Sequence, residues 1–521
     1  MQSLEDRDYF TDYQILKDPY AFLEAIRVHG PVYRQPGTGV VFVTGFDEAL
    51  EVLKNTDDFS SANCVQGAGA PLPFTPHGAD IDGQIEANRS KFLGSDLLVT
   101  YDGRPHTFSR ALLGRLFTPS RLKANEQYIK NLSEELVKTA IARGHCELIR
   151  EISVPFVTLV VADLLGVPAD DRQHFMETIA SGPPPGALDG SDHQQMPLEF
   201  MKSYFTEYVE ERRKNPREDV ISELANATYP DGSLPDAKEI VSLTTFLFGA
   251  GQDTSAKLLA NTMKYLVDEP GLQDRVRADL SLVPALLEEV LRIEGSTKTT
   301  FRLARRDTRI GAFDVPAGTR VMVALAAANR DPKRWEDPAS FVLDRPRAKE
   351  HVGFGRGAHV CVGAPLARAE LRIIIEDLLK NTSAITMAEE KHGPAGDRRI
   401  DWEPSFIIRG IENMYLLFTP AADFVALDRP LRSGIVFGQA EEASAAAANI
   451  YSTAATKIGT LFGDPAAKAV LVKHLPGFDT DPQVGMAMGM TFRAIQPFAP
   501  DRLTTETLDA MDADLAQLSA P

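Results

Sequence analysis

The stretch that most constrains this chain is His351 to Glu370, HVGFGRGAHVCVGAPLARAE, with Cys361 at its centre. Its four glycines (Gly353, Gly355, Gly357, Gly363) suit a tight turn where backbone must pass close to something large and flat. The residues that follow, APLARAELRIIIEDLL, place apolar side chains at helical spacing, so the cysteine sits where a glycine-bent loop feeds a helix N-terminus. Backbone N–H groups and the positive end of the helix face a sulfur in that position, and both favour thiolate over thiol. That is a ligand environment.

The other two cysteines, Cys64 and Cys146, are far from it and from each other. No disulfide framework is implied, and the absence of a C-x-x-C pair argues against zinc-ribbon and ferredoxin-like sites. At 521 residues the chain is longer than one compact domain usually runs, which predicts a large domain with an appendage. A net charge of −18 argues against nucleic acid and against anionic membrane surfaces. The start, MQSLEDRDYF, has neither the basic and apolar run of a signal peptide nor an anchor, so the expectation is a soluble cytoplasmic protein.

In chain order, KDPYAFLEAIRVHG is helical in spacing and PVYRQPGTGVVFVTG reads as a hairpin, followed by a short helix in FDEALEVLKN. From about Ser60 to Ser95 the pattern turns irregular, and a loop that long in a compact domain is usually functional. His106 and Arg110 then lie four apart on one helix face. A helical stretch from Gln127 to Val167 carries a short strand near Cys146, and SGPPPGALDGSDHQQ (Ser181 to Gln195) reads as a hinge between helices. Asp236 to about Asp268 is one long helix whose middle, FLFGAGQDTSAK, contains Gly249 and Gly251. Each glycine costs about 1 kcal/mol against alanine there, so close approach of a flat cofactor or dioxygen is the expected reason. Asp253 and Thr254 can divert backbone hydrogen bonds beside them.

The run from Phe354 to Gly363, F-x-x-G-x-x-x-C-x-G, resembles the haem-ligand loop of the cytochrome P-450 (haem-thiolate monooxygenase) family. The resemblance extends to A-G-x-D-T (Ala250 to Thr254), to E-x-x-R (Glu289, Arg292), to ANRDP (Ala328 to Pro332) and to FVLDRP with Arg345, in that order along the chain. It implies a mainly α fold with small β-sheets over residues 1–418, plus a mostly helical extension over 419–521. It implies a haem b held by the Cys361 thiolate within the loop of Phe354 and Gly363, with His106, Arg110, Arg302 and His359 on the propionates. It makes Glu289, Arg292 and Arg345 a structural triad, Asp253 a proton relay and Thr254 its partner in oxygen activation. Substrate contacts are expected from the loop near Ala70 to Gly94, from Phe246, Phe248 and Gly249, from Lys298, Thr299 and Thr300, and from Phe406. Lys298 is a candidate anchor for a substrate carboxylate. The prolines that often follow E-x-x-R are replaced by Gly295-Ser296-Thr297-Lys298.

The activity so implied is insertion of one oxygen atom from dioxygen into a small, mostly apolar molecule. Electrons come from an external ferredoxin and its reductase, since the chain has no iron–sulfur cysteines and no G-x-G-x-x-G-type loop for flavin or nicotinamide. A peroxide-using enzyme or isomerase, or a haem ligand-binding protein without oxygen activation, are the alternatives; the intact acid–alcohol pair argues against both. Beyond Phe418 the resemblance stops. The remaining residues are alanine-rich, with a helix start at Asp464-Pro465, a stop at Pro476-Gly477, and Leu508, Met511, Leu515 and Leu518 at helical spacing. Such short helices need a cover, and the expectation is docking on the catalytic domain or on a second copy of it, a route to a homo-oligomer.

Overall fold

The computed structural model describes residues 3–168, 171–172 and 195–428, and in the C-terminal stretch 451–454, 456, 458–478, 491–496 and 502–518. The hinge expected at Ser181 to Gln195 lies almost wholly outside the described residues, as does the first half of GMAMGMTFRAIQ.

The chain begins as its pattern predicts. Helix α1 (Tyr20–Arg27) leads into strands β1 (Val32–Arg34) and β2 (Val41–Val43), then α2 (Phe46–Lys54) and β3 (Phe59–Ser60). The irregular segment after it contains a short helix, Asp82–Ala87, before α3 (Gly103–Gly114). Helix α4 (Pro119–Arg143) starts at Thr118, whose hydroxyl accepts from the Arg121 N–H at 3.4 Å, with Pro119 in the first turn. It stops at Gly144, whose φ of 81° few other residues adopt. Strand β4 (His145–Glu147) buries Cys146 and is followed by α5 (Val154–Leu165) and α6 (Gln195–Lys214).

The long helix α7 (Ala237–Asp268) is capped by Asp236, which accepts from the Lys238 N–H at 2.9 Å. Its neighbours include α5, α6, α8 (Val283–Glu294) and α9 (Ala364–Asn381), with α9 also laid against α4. The largest core cluster forms where these helices meet, so α7 runs through the centre of the apolar interior. Between α8 and α9 lie β5 (Thr300–Ala304), the hairpin β6 (Thr308–Ile310) and β7 (Phe313–Val315), and β8 (Arg320–Val323). One sheet has the order β1-β2-β8-β5-β3, antiparallel except for β2 with β8. A second is β4-β10-β9, with β9 at Thr382–Met387 and β10 at Tyr415–Pro420.

In the C-terminal stretch lie α10 (Ile458–Gly463), α11 (Pro465–His474) and α12 (Thr505–Leu515); α11 falls between the Asp464-Pro465 start and the Pro476-Gly477 stop, and α12 ends before Leu518. Their apolar residues behave differently from the expected docking. Leu461, Leu471, Phe478, Phe492, Leu508, Met511 and Leu515 form one cluster drawn from the described tail residues alone. Among the described residues the short helices and the segments beside them cover one another, which the alanine content, read by itself, does not reveal.

Candidate active site

The loop before α9 is pinned on both sides. The Cys361 N–H donates to the Phe354 carbonyl at 2.8 Å, and Val352 N donates to Asn329 Oδ1 at 2.7 Å, which ties the loop to the ANRDP segment. Gly357 has φ 72°, and a Cβ there would collide with the Leu53 carbonyl of α2 and lie 3.0 Å from Lys54 Cα. Gly353 meets the Leu291 carbonyl of α8 in the same way, 2.8 Å from where its Cβ would be. The large object these glycines approach includes the protein's own backbone.

The Cys361 sulfur opens onto a cavity of about 410 Å³ while protein atoms crowd its other sides. Burial pushes its thiol above the ordinary value, against the N–H groups of Gly363 and Ala364 and the Arg110 guanidinium, which pull it down. This reverses the direction expected from the helix start alone, because desolvation exceeds the stabilising contacts.

A second wall of the cavity is the middle of α7, where Phe246, Gly249, Ala250, Gly251, Asp253 and Thr254 all face in. Thr254 Oγ1 donates to the Ala250 carbonyl at 2.9 Å. A Cβ on Gly251 would meet Val161 of α5 at 3.3 Å, so part of its reason is helix packing. Burial raises the Asp253 carboxyl above the usual range, opposed by Lys257, and its Oδ2 is buried without a hydrogen-bond partner.

A third part of the cavity gathers His106, Arg110, Arg302 and His359. The two imidazoles stand 4.0 Å apart, and His359 Nε2 lies 3.1 Å from Ser61 Oγ. Arg110 donates to the Val360 carbonyl, and Arg302 to the Phe301 carbonyl at 2.7 Å. The β5–β8 pairing of Arg302 with Val321 holds that arginine in place. Burial, then Arg302 and His106, pushes His359 down to about 2, and burial with Arg110 lowers His106, whose Nε2 is buried and unpartnered. Asp102, the nearby acid, is already shared by Ser60, Arg89 and Arg305 at 2.5, 2.9 and 3.0 Å. Behind the loop, Arg292 grips Glu289 through two bonds of 2.7 and 2.8 Å, and Arg345 Nε reaches Glu289 at 2.8 Å, so the expected triad assembles.

Three of the expected substrate residues are elsewhere. Phe248 is fully buried and packs 6.2 Å from Phe205 of α6, because two residues on from Phe246 is the far side of the helix. Lys298 is wholly buried and donates to the Leu16 carbonyl at 2.6 Å; burial and Arg409 hold its amine well below the ordinary value. It cannot anchor a substrate carboxylate, while its neighbours Thr297 and Thr299 do line the cavity. Phe406 packs with Phe10 and Phe301 over Gly67, and the wall is made instead by Ile407 and Ile408. The irregular segment contributes its start, Cys64 and Val65, and the residues just past it, Leu98 and Val99, take the place of the expected Ala70 to Gly94. Sequence reasoning also missed Glu370 of α9, a buried acid of the cavity wall nine residues after the cysteine. Its only signal was an acid among the apolar residues of a helix.

A family model described as cytochrome P450 matches residues 188–397. Cytochrome P450(BM-1) of Priestia megaterium is 31% identical over 385 residues, which cover 71% of this chain and 88% of that protein. The chain belongs to the cytochrome P450 family. The substrate-free structure of Mycobacterium marinum cytochrome P450 CYP150A6 is 45% identical with a TM-score of 0.76, covering 81% of this chain and 100% of that one. CYP109E1 from Bacillus megaterium, solved in complex with corticosterone, is 25% identical with a TM-score of 0.64, covering 78% and 99%.

As a P450 the protein is a haem monooxygenase, and the family's haem iron takes a cysteine thiolate. The residues present fit such a group. One sulfur opens onto the cavity, and four nitrogen-bearing side chains gather at one side of it with an orphaned imidazole nitrogen among them. The two propionate carboxylates of a haem, one negative charge each, would supply what that cluster lacks. Among the described residues, no helix is long and apolar enough to cross a membrane.

Proposed function

We propose that this P450 inserts one oxygen atom from dioxygen into a small, neutral and mostly apolar molecule, with Cys361 as the haem ligand and electrons from an external ferredoxin and its reductase. The observation that carries the reading is the convergence of Cys361, the Asp253–Thr254 pair and the His106, Arg110, Arg302 and His359 cluster on one cavity. Bound there, the haem supplies reductive activation of dioxygen and transfer of one of its atoms to carbon.

The chain's own residues do the rest. Cys361 offers its sulfur at a loop whose backbone is fixed by Phe354, Leu53 and Leu291, so the ligand cannot swing away. The four cationic or imidazole groups would hold the propionates of such a group. Burial raises the Asp253 carboxyl and so favours its protonated, proton-donating form, and Thr254 presents a hydroxyl beside it. Val65, Val99, Leu165, Phe246, Ile407 and Ile408 exclude water and offer apolar contact. Among the described residues no charged group lines the cavity beyond those already assigned and Glu370, which favours a neutral substrate. The corticosterone complex of CYP109E1 supports a compound of that class.

The test is spectroscopic. The reduced protein with carbon monoxide is expected to show the red-shifted Soret band of thiolate-ligated haem, and Cys361→Ala to abolish it. An unchanged band in the variant would place the ligand elsewhere. A panel of steroids, terpenoids and fatty-acid esters, scored by displacement of iron-bound water in the visible spectrum, is expected to favour neutral members over carboxylates.

A further inference from the structure

Asp253 has ionisable neighbours that the proposed mechanism does not use. One turn further along α7, Lys257 is buried and its Nζ donates to Oε1 of Glu403. Glu403 comes from the segment Trp402 to Ile411, whose ends pair with each other and whose Glu403 N–H donates to the Gly410 carbonyl at 2.9 Å. Gly410 makes room for the contact: a Cβ there would lie 2.6 Å from Lys257 Cδ and 3.0 Å from Glu403 Oε2. The same segment supplies Ile407 and Ile408 to the cavity wall and is tied to the approach of β5 by Lys298 N to Ile407 O and Arg409 N to Ser296 O, both 2.8 Å.

The cluster thus holds two carboxyl groups and one ammonium. Each carboxyl keeps one buried oxygen without a partner, Asp253 Oδ2 and Glu403 Oε2. One ammonium neutralises one carboxylate, and a second carboxylate in the same low-dielectric space is costly unless it carries a proton. The remaining charged groups nearby do not remove that excess. Arg409 is committed to Glu294 at 2.7 Å, Lys298 donates to the Leu16 carbonyl, and half-buried Glu412 adds negative field on both Lys257 and Glu403.

We propose that Lys257 and Glu403 are the proton supply of Asp253, with Glu412 as its outlet to solvent. The inference rests on the reading of Asp253 as the donor facing the cavity. When Asp253 has given up its proton, Glu403, until then the carboxylate paired with Lys257, takes one from water past Glu412; the Lys257 ammonium passes one to Asp253 and regains one from Glu403, which is again the paired carboxylate. One solvent proton reaches Asp253, Lys257 begins and ends as an ammonium, and no electron moves. Burial raises both acids, Glu403 to about 7, so Glu403 takes up and releases a proton readily near neutral pH.

The test uses the haem-loaded full chain with dioxygen itself as the probe and no organic substrate. The share of reducing equivalents released as hydrogen peroxide rather than water is measured against pH, with its solvent deuterium isotope effect, for the parent, Asp253→Asn, Glu403→Gln, Lys257→Met and the conservative Glu403→Asp and Lys257→Arg. Infrared spectra of the same proteins follow the carbonyl band of protonated carboxyl groups. Glu403→Gln and Lys257→Met are expected to lower the water-forming share about tenfold, less than the ~10²-fold or more of a directly transferring group. Glu403→Gln should also remove a carboxyl band that titrates near pH 7, and Glu403→Asp should restore most of the share with a displaced midpoint. If Asp253→Asn diverts electrons to peroxide while Glu403→Gln keeps the parent's share, pH profile and band, the proposal is overturned and the role of Asp253 stands. If Asp253→Asn itself changes nothing, the reading beneath it fails. Should Glu403→Gln not retain haem, Glu403→Asp and Lys257→Arg decide, and an unmoved midpoint in both overturns the proposal.

Discussion

Glu370 shows what a single buried acid does to this protein. It is 2% exposed, the Ser255 hydroxyl hydrogen-bonds it, and its Oε2 has no partner. Burial pushes its carboxyl up to about 8 from an ordinary 4.5. The folded state therefore keeps a proton that the unfolded chain releases, so stability is full below pH 4.5, falls as pH rises through 8, and is level above it. Holding that proton at pH 7 costs about 3 kcal/mol. Glu370→Gln removes the titration, and we expect it to raise the melting temperature at pH 8 but not at pH 4.5. Melting curves of the two haem-loaded proteins across that range check this, and parallel pH profiles would show that Glu370 titrates normally. Lys298 belongs to the same scale and was misread for a non-local reason. Whether residue 298 or its neighbours face the cavity is decided by pairing with Ile407 and Ile408, more than a hundred residues away, as the Thr297–Ile408 bridge shows. No pattern within TKTTFRL carries that information.

Elements were legible where local chemistry decides them. The start of α7 at Asp236 and the glycine-bent cysteine loop lie where their residues demand, because capping and turn geometry are settled within a few positions; the helical stretch read from Gln127 starts earlier, at Thr118-Pro119, and breaks at Gly144. What each glycine approaches was not legible: Gly353 and Gly357 press on carbonyls of α8 and α2, partners set by the tertiary fold. The triad behind the loop joins these elements. Arg292 also donates to the carbonyls of Asn329, Pro338 and Ser340 at 2.9, 2.8 and 3.1 Å, and Glu289 accepts from Val342 N at 3.0 Å. One buried carboxylate thus fastens α8 to the segment ahead of the cysteine loop. Glu289→Gln leaves two buried guanidiniums sharing no counter-charge, and the expected loss is about 3–5 kcal/mol. Urea unfolding of the haem-loaded variant, with haem release followed in the Soret region, measures it. A midpoint equal to the parent's would mean that backbone carbonyls alone satisfy both arginines.

At the scale of the whole molecule the open question is what the C-terminal stretch covers. The catalytic part does not stop at Phe418: β10 runs to Pro420, Ala421 N donates to the Asn381 carbonyl at 3.0 Å, and Phe424 packs on the main core. The described residues from Tyr451 onward instead bury their apolar side chains in one another, with Phe478 ringed by Phe462 and Phe492 at 5.9 and 5.2 Å. Their polar ties are internal too: Thr453 and Arg493 meet Asp512 at 2.8 and 3.2 Å, and His474 meets Asp514 at 2.6 Å. A segment whose described apolar face is already covered has little left with which to stabilise another surface, because the hydrophobic gain scales with area removed from water. Ending the chain after Asp428 is therefore expected to leave the carbon monoxide spectrum unchanged and to move the melting temperature by less than about 2 °C, the equivalent of under 1 kcal/mol for a domain this large. The excised stretch from Ala448 is expected to be helical by circular dichroism and, at its small size, only marginally stable. A truncated protein that melts well below the parent, or changes its mass in solution, would show instead that the C-terminal helices cover the catalytic part or a second copy of it.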